Sequence, residues 1–131
     1  MSRALLLVAS VILALSVTGC ARTQPVYNAN NTSVVGGTTS GLTQAQIKQA
    51  ILKAAADREW IAKEVGDGHI VATVYVRDHM AEVDINYGPN QYSITYKNSD
   101  NLLYDGTMIH RNYNKWIKLL DAEIREELAR S

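Results

Sequence analysis

Three consecutive segments alternate apolar with polar side chains: HIVATVYVR (residues 69–77), MAEVDINY (residues 80–87) and QYSITYK (residues 91–97). A period of two is typical of β-strands with one face in a core and the other in solvent. The apolar face comprises Ile70, Ala72, Val74 and Val76, then Ala81, Val83, Ile85 and Tyr87, then Tyr92, Ile94 and Tyr96. This stretch predicts three strands and decides the fold class.

The loops between these segments set the predicted pairing. A two-residue loop (78–79) and a four-residue loop (88–91) bring apolar residues opposite each other: Val76 and Ala81, Val74 and Val83, Ala72 and Ile85, and Ile70 and Tyr87 across the first loop; Tyr87 and Tyr92, Ile85 and Ile94, and Val83 and Tyr96 across the second. Because a one-residue slip would turn either apolar set outward, the pattern predicts a three-stranded antiparallel β-meander.

Helices are predicted on both sides of the meander. Thr43 and Gln46 have the spacing of a capping box, and apolar residues then recur at helical spacing, which predicts a helix over 43–57. Trp60 and Ile61 continue or close this element before a turn at 66–68. A long C-terminal helix is predicted by a stripe at offsets 0, 4, 7, 8, 11, 15 and 19: Ile109, Tyr113, Trp116, Ile117, Leu120, Ile124 and Leu128.

These elements together predict an α+β fold. Both helices need an apolar sheet face, so we expect a two-layer sandwich in which they cover the same side of the meander. Residues 42–131 form this α-β-β-β-α globular domain in the prediction. An Asn98–Asn101 loop and a turn at Asp105-Gly106 separate the third strand from the C-terminal helix.

Residues 20–41 are predicted to form a flexible tether. Ala21 to Gly41 has one charge, Arg22, and 14 of its 21 residues are Ser, Thr, Asn, Gln, Gly or Pro. A segment of this composition buries too little apolar surface to offset its ordering entropy, and as a coil it would span about 25 Å. An alternative is that Pro25-Val26-Tyr27 or Val34-Val35 docks onto the domain or a partner.

The N-terminus has the pattern of an export signal. Met1-Ser2-Arg3 is positively charged, and Ala4 to Val17 is a run of 14 Ala, Leu, Val, Ile and Ser residues, short of the about 20 apolar residues that a spanning helix needs. Val17-Thr18-Gly19-Cys20 follows directly, and here the chain resembles bacterial lipoprotein precursors. The resemblance implies a signal peptide over 1–19, lipid on Cys20 and, with Ala21 next in a Gram-negative host, an outer-membrane location facing the periplasm.

The cysteine count agrees with lipidation. Cys20 is the one cysteine in the chain, so it has no intramolecular disulfide partner. Two or three acyl chains would hold the protein durably, whereas one chain binds only reversibly. The alternative is a chance cysteine in a short uncleaved anchor.

The charge balance argues against a nucleic-acid partner. With Arg3 removed, 12 of the 13 basic residues remain against 13 acidic ones, so the chain lacks the excess of positive charge that is typical of nucleic-acid-binding proteins.

The outward face of the meander offers a candidate partner-binding surface. Its members are Val71, Tyr75, Arg77, Met80 and Glu82, with Glu82 predicted opposite Tyr75 and Lys97. A sheet covered on one side leaves Val71, Tyr75 and Met80 exposed, which is typical of a site for an envelope protein or a second copy of the chain. The alternative is a solvated face whose charges pair across strands.

A second, polar candidate lies near the start of the C-terminal helix. Asn98, Asp100, Asn101, His110 and Arg111 supply groups that could bind a sugar or a carboxylate, helped by free N–H groups at the helix start. The segment Tyr92 to Trp116 resembles small proteobacterial lipoproteins of unassigned function, a resemblance that implies no activity. The alternative is that its aromatic residues pack in the core beside an ordinary loop.

No pattern in the sequence indicates catalysis or metal binding. His69, His79 and His110 are dispersed, and no Gly-x-Ser-x-Gly motif is present. We expect no catalytic residues, no cofactor and no metal. The leading hypothesis is a non-enzymatic, lipid-anchored lipoprotein that binds another envelope component, and the alternative is a protein that binds or acts on peptidoglycan or another glycan.

Overall fold

A computed structural model describes residues 21–34 and 41–131. The elements in chain order are β1 (Thr23–Pro25), β2 (Ala29–Ser33), α1 (Gln44–Asp57), β3 (Ile61–Gly66), β4 (His69–Val76), β5 (His79–Tyr87), β6 (Gln91–Asp100), β7 (Met108–His110) and α2 (Arg111–Arg130). The prediction of a mixed α and antiparallel β fold with a C-terminal helix is confirmed. The predicted signal peptide over 1–19 and the lipidated Cys20 lie outside the described residues.

The main sheet is larger than the predicted meander. Five antiparallel strands run in the order β2-β6-β5-β4-β3, and β1 and β7 form a separate two-stranded sheet. The prediction of three strands was therefore wrong at both edges. Strand β3 gave no clear signal because five of its six residues are exposed, so its sequence IAKEVG lacks a strongly apolar face. Strand β2 consists mostly of exposed Asn and Ser side chains.

The pairing agrees with the prediction at one hairpin and differs at the other. Between β5 and β6 the predicted pairs are present, including Tyr87 with Tyr92. Between β4 and β5 the loop is Arg77-Asp78, with Arg77 in the left-handed region at φ 57°, and Val76 pairs with His79 instead of Ala81. This displacement by two residues keeps every side chain on its predicted face, because the side-chain period is also two.

A β-bulge in β6 changes the outward pairs. The β5–β6 register shifts between Glu82 and Val83, so Glu82 lies opposite Asn98 on β6, while on its other side it lies opposite Thr73 of β4. The predicted pairing of Glu82 with Lys97 was wrong because of this bulge, and its predicted pairing with Tyr75 was wrong because of the two-residue displacement between β4 and β5. Beyond the bulge the strand continues to Asp100, through residues that were predicted as a loop.

Residues 21–34 are part of the folded body, which corrects the tether prediction for this portion of the chain. The buried Asn114 side chain accepts a hydrogen bond from Tyr27 N–H (2.9 Å) and donates to the Pro25 carbonyl (2.9 Å) and to Gln24 (3.2 Å). Asn28 accepts from Tyr96 N–H (3.0 Å). Side-chain amides therefore stabilise a polar segment that has little apolar surface to bury. Residues 35–40 of the predicted tether lie outside the described residues.

The two helices cover one face of the main sheet. The capping box at Thr43 and Gln46 is present, and α1 ends at Asp57 as predicted. Helix α2 begins at Arg111, two residues after the start of the predicted apolar stripe, with His110 as its N-cap and Ile109 in β7. Six stripe residues are buried with the inward residues of β4, β5 and β6 in one core cluster: Ile109, Tyr113, Ile117, Leu120, Ile124 and Leu128.

Gly68 closes the β3–β4 hairpin at the turn that sequence reasoning placed after α1. Its φ is +68°, and a Cβ at this position would lie 2.7 Å from the Tyr87 carbonyl oxygen. Only glycine fits both the left-handed backbone and this close approach. The hairpin places β3 beside β4, where its outward side chains extend the uncovered face of the sheet.

Candidate functional site

The uncovered face of the main sheet carries a shallow groove of about 550 Å³. Four strands contribute its lining: Ile61, Lys63 and Val65 from β3, His69, Val71, Thr73 and Tyr75 from β4, Glu82 from β5 and Lys97 from β6. These residues, called the sheet groove below, share one face because alternate residues of each strand point away from the helices.

Large apolar side chains are exposed along the sheet groove. Tyr75 retains 67% of its surface in solvent, and Ile61 and Val65 each retain 55%. Two of the three come from the edge strand β3 and the third from β4. Single exposed apolar residues are ordinary on soluble proteins, but a contiguous group around a concave surface marks a contact site.

Polar side chains of both signs lie beside these apolar residues. His69 Nε2 is 2.7 Å from Asp84 Oδ1, and Lys97 Nζ is 3.8 Å from the same oxygen. Thr73 donates a hydrogen bond of 3.0 Å to Glu82. The side chains of His69, Asp84 and Lys97 are 22–44% exposed, so the network remains accessible to solvent.

The structure brings together three of the five residues predicted for the partner-binding face. Val71, Tyr75 and Glu82 line the sheet groove. Arg77 lies in the β4–β5 turn, and Met80 is half-buried opposite Tyr75, so neither lines it. Ile61, Lys63 and Val65 were missed because β3 was missed, although their alternation with Ala62 and Glu64 was a weak strand signal.

The structure separates the residues of the predicted polar site. Asn98, Asp100 and Asn101 line a shallow cavity of about 560 Å³ together with Tyr96 and Tyr104. Arg111 lines a different cavity on α2. His110 lines neither cavity, and its ring stacks on His79 at a centroid distance of 6.4 Å. The five residues therefore do not form one ligand site.

An aromatic stack borders the first of these cavities. The ring centroids of Tyr96 and Tyr104 are 4.1 Å apart in a stacked arrangement with an interplanar angle of 29°, and Tyr96 packs edge-on against Tyr113 at 5.7 Å. Tyr104 is 42% exposed. An exposed aromatic ring next to amide and carboxylate side chains is an arrangement that can contact a sugar, through the ring face and through hydrogen bonds.

Two N–H groups at the start of α2 are already hydrogen-bonded. The Arg111 N–H donates to the Arg22 carbonyl (2.8 Å), and the Asn112 N–H donates to His110 Nδ1 (3.1 Å). The expectation that free N–H groups here would bind a ligand was therefore wrong for both positions.

Burial lowers the pKa of His110, and the nearby charges of Arg111, His79 and Arg22 lower it further.

An acidic cluster links the two helices. Oxygen atoms of Asp57, Glu123 and Glu127 lie within 4.8 Å of one another. Each carboxylate has a cation nearby: Lys53 at 2.9 Å from Asp57, Arg58 at 3.6 Å from Glu123 and Arg130 at 2.7 Å from Glu127. The cluster is therefore a network of ion pairs that joins α1 to α2.

The histidines have partners other than a nucleophile in the described part of the chain. His69 bonds to Asp84, His79 Nδ1 bonds to the Asn101 carbonyl at 2.6 Å, and His110 accepts from a backbone N–H. In nucleophilic catalysis a base lies within hydrogen-bond reach of a hydroxyl or thiol. Within residues 21–34 and 41–131, no serine, threonine or cysteine side chain is hydrogen-bonded to these rings.

Neither α1 nor α2 combines the length and the apolar character needed to cross a bilayer. Comparisons of the chain with models of known families, with curated proteins and with solved structures found no match.

Proposed function

We propose that this chain is a non-enzymatic, lipid-anchored lipoprotein of the cell envelope that binds another envelope protein through the sheet groove. The observation that carries the binding role is the exposure of Ile61, Val65 and Tyr75 around the groove. The sequence Val17 to Cys20, after an apolar run, supports the anchor, and Ala21 favours the outer membrane in a Gram-negative host.

The chemistry of the sheet groove suits a protein partner. Aromatic and branched apolar side chains at the centre of a contact contribute most of the binding free energy, and polar groups around them provide specificity. Lys63 and Lys97 offer positive charge, and Glu82 and Asp84 offer negative charge. We therefore expect a partner that inserts an apolar side chain flanked by charges of both signs.

The anchor is tested by the mass of the exported protein. We expect radiolabelled palmitate to enter the wild-type chain, and the mature protein to begin with Cys20 carrying acyl chains. Cys20→Ser removes the acceptor sulfur and is expected to abolish labelling. An exported protein that retains residues 1–19, or that carries no lipid, would contradict the anchor.

The binding role is tested by replacing Tyr75 with a photocrosslinking amino acid in the full chain, expressed in host cells that export it to their envelope. We expect one recurring exported protein in the adduct, identified by mass spectrometry. Ile61→Lys places a charge in the groove and should abolish the adduct. Leu103→Lys makes the same kind of change at a residue that is 56% exposed elsewhere, so it should leave the adduct intact.

Two results would overturn the binding role as stated. An adduct of twice the chain mass would assign the groove to a second copy of the protein. An adduct that persists in the Ile61→Lys variant would show that the groove does not make the contact.

A glycan-binding role is a second candidate, favoured by the exposed Tyr104 ring stacked on Tyr96 beside Asn98 and Asp100. Retention of the protein on purified peptidoglycan tests it. We expect retention to be lost on Tyr104→Ala and kept on Tyr75→Ala. Arg111→Ala should have little effect, since Arg111 lines a different cavity.

A further inference from the structure

Four basic side chains form one exposed surface at the start of α2. Arg111, Lys115 and Lys118 have i, i+4 and i+7 spacing, which places them along one side of the helix. Arg22 joins them because its carbonyl accepts a hydrogen bond of 2.8 Å from the Arg111 N–H. These four residues are called the basic surface below.

The basic surface lacks ion pairs with the rest of the described chain. Within residues 21–34 and 41–131, no carboxylate lies within 4.0 Å of Arg22, Arg111, Lys115 or Lys118. The cations at the other end of α2 are paired: Arg125 lies 3.0 Å from Asp121, and Arg130 lies 2.7 Å from Glu127. Positive charge without compensation is thus confined to the first half of the helix.

Helix stability does not account for this placement. The N-terminal end of a helix carries partial positive charge, so cations there are unfavourable. Helix α2 has no acidic residue in its first turn, and its first acidic residue is Asp121. The basic side chains therefore raise the free energy of the isolated fold, which an external anion would offset.

The chain geometry ties the basic surface to the proposed lipid anchor. Thr23 pairs with His110 in the β1–β7 ladder, so the folded body begins at the start of α2. Consecutive Cα atoms are about 3.8 Å apart, which limits the Cys20 and Arg22 Cα atoms to about 7.6 Å. Acyl chains on Cys20 would therefore hold Arg22, at the near end of the basic surface, to within about one Debye length of the lipid headgroups.

We infer that the basic surface docks on anionic phospholipid headgroups and orients the folded body on the membrane. The inference rests on the proposed lipid anchor. Lys118 is held in position over the Tyr27 ring, 5.1 Å from its centroid, and Leu119 beside it is 37% exposed. A basic residue near an anionic bilayer strengthens binding by about fivefold, so the docked state depends on the lipid composition and on salt.

The test uses the full lipidated protein in two kinds of vesicle: phosphatidylcholine alone, and an equal mixture of phosphatidylcholine and phosphatidylglycerol. An amine-reactive reagent labels exposed lysines, and mass spectrometry measures each site. In the mixed vesicles we expect labelling of Lys115 and Lys118 to fall several-fold relative to Lys63 on β3. At about 1 M salt, where the Debye length is about 3 Å, the difference should disappear.

Variants assign the effect to the basic surface. Arg22→Gln with Arg111→Gln removes two cations but leaves both reporting lysines, and should weaken docking by roughly 25-fold. Lys48→Gln with Arg77→Gln removes the same charge from other surfaces, so it should leave the protection unchanged.

The outcomes separate this inference from the anchor itself. A protein that carries lipid on Cys20 but is labelled equally in both vesicles overturns the inference and leaves the anchor in place. A protein without lipid on Cys20 overturns both. Protection that persists in the Arg22→Gln, Arg111→Gln variant also overturns the inference.

Discussion

Two core tyrosines place their hydroxyl groups in different environments. Tyr92 donates a hydrogen bond of 2.5 Å to the buried carboxylate of Asp121, which also pairs with Arg125. The Tyr113 hydroxyl is buried without a hydrogen-bond partner. Burial raises the pKa of both phenols well above the usual value, and for Tyr92 the neighbouring carboxylate raises it further.

The two hydroxyls predict opposite effects of the same substitution. Tyr92→Phe should lower the free energy of unfolding by about 1.5–3 kcal/mol, because it removes a hydrogen bond to a charged group. Tyr113→Phe should leave stability unchanged or raise it, because it removes a buried polar group that has no partner. Urea denaturation of both variants measures this. A larger loss for Tyr113→Phe than for Tyr92→Phe would contradict it.

Asn114 holds the N-terminal segment with one side chain. Asn114→Ala should cost about 2–4 kcal/mol, because it leaves the Tyr27 N–H and the Pro25 carbonyl without partners. Asn114→Asp keeps the acceptor for Tyr27 and loses the donors, so its cost should be intermediate near neutral pH. Thermal denaturation measures both. Asn112→Ala, at an exposed site on the same helix, should change stability by less than about 0.5 kcal/mol.

At the scale of elements, the start of α2 depends on an uncharged histidine. His110 Nδ1 accepts the Asn112 N–H only when that nitrogen carries no proton. Protonation would replace the acceptor with a donor and would add positive charge at the positive end of the helix. The structure accordingly lowers the pKa of His110, through burial first and then through Arg111, His79 and Arg22.

A lowered pKa gives the pH dependence a definite sign. Below the ordinary imidazole pKa of about 6.5 the unfolded chain binds a proton at this site before the folded chain does. The stability from the His110 cap is therefore present above about pH 6.5 and is lost as the pH falls through the folded pKa. The loss should be on the order of 1 kcal/mol, the typical value of an N-cap.

His110→Asn tests this dependence, because asparagine also caps helices and does not titrate. Urea denaturation at several pH values should show a smaller loss of stability in acid for the variant than for the wild type. Equal losses in both proteins would show that other groups cause the acid sensitivity.

At the scale of the whole molecule, the N-terminal strands belong to the domain. A chain that begins at residue 42 would lack β1 and β2, the buried Ala29 and the partners of Asn114, and would leave β6 as an open edge. We expect it to lack a cooperative thermal transition, whereas a chain that begins at residue 21 should unfold cooperatively. Transitions within a few degrees of each other would contradict this, since about 1 kcal/mol shifts the Tm of such a domain by about 4–8 °C.

Sequence reasoning predicted the elements that bury a regular apolar pattern. The alternation in β4 to β6, the capping box at Thr43 and the stripe along α2 all appear in the structure. Strand β3 was missed because it contributes little to the core, and with it Ile61 and Val65 of the sheet groove. Val71, Tyr75 and Glu82 were found because they lie on strands that the core pattern had already located.

The order of apolar and polar residues along the chain was enough to determine the two helices, the three central strands and the side of each strand that faces the core, because burial of apolar surface follows these periods directly. The tertiary structure alone decided that residues 21–34 join the sheet, that Arg111 lies apart from Asn98, and that Arg22 lies beside α2. Such contacts depend on hydrogen bonds and pairings between residues far apart in the chain, whose partners no local pattern specifies.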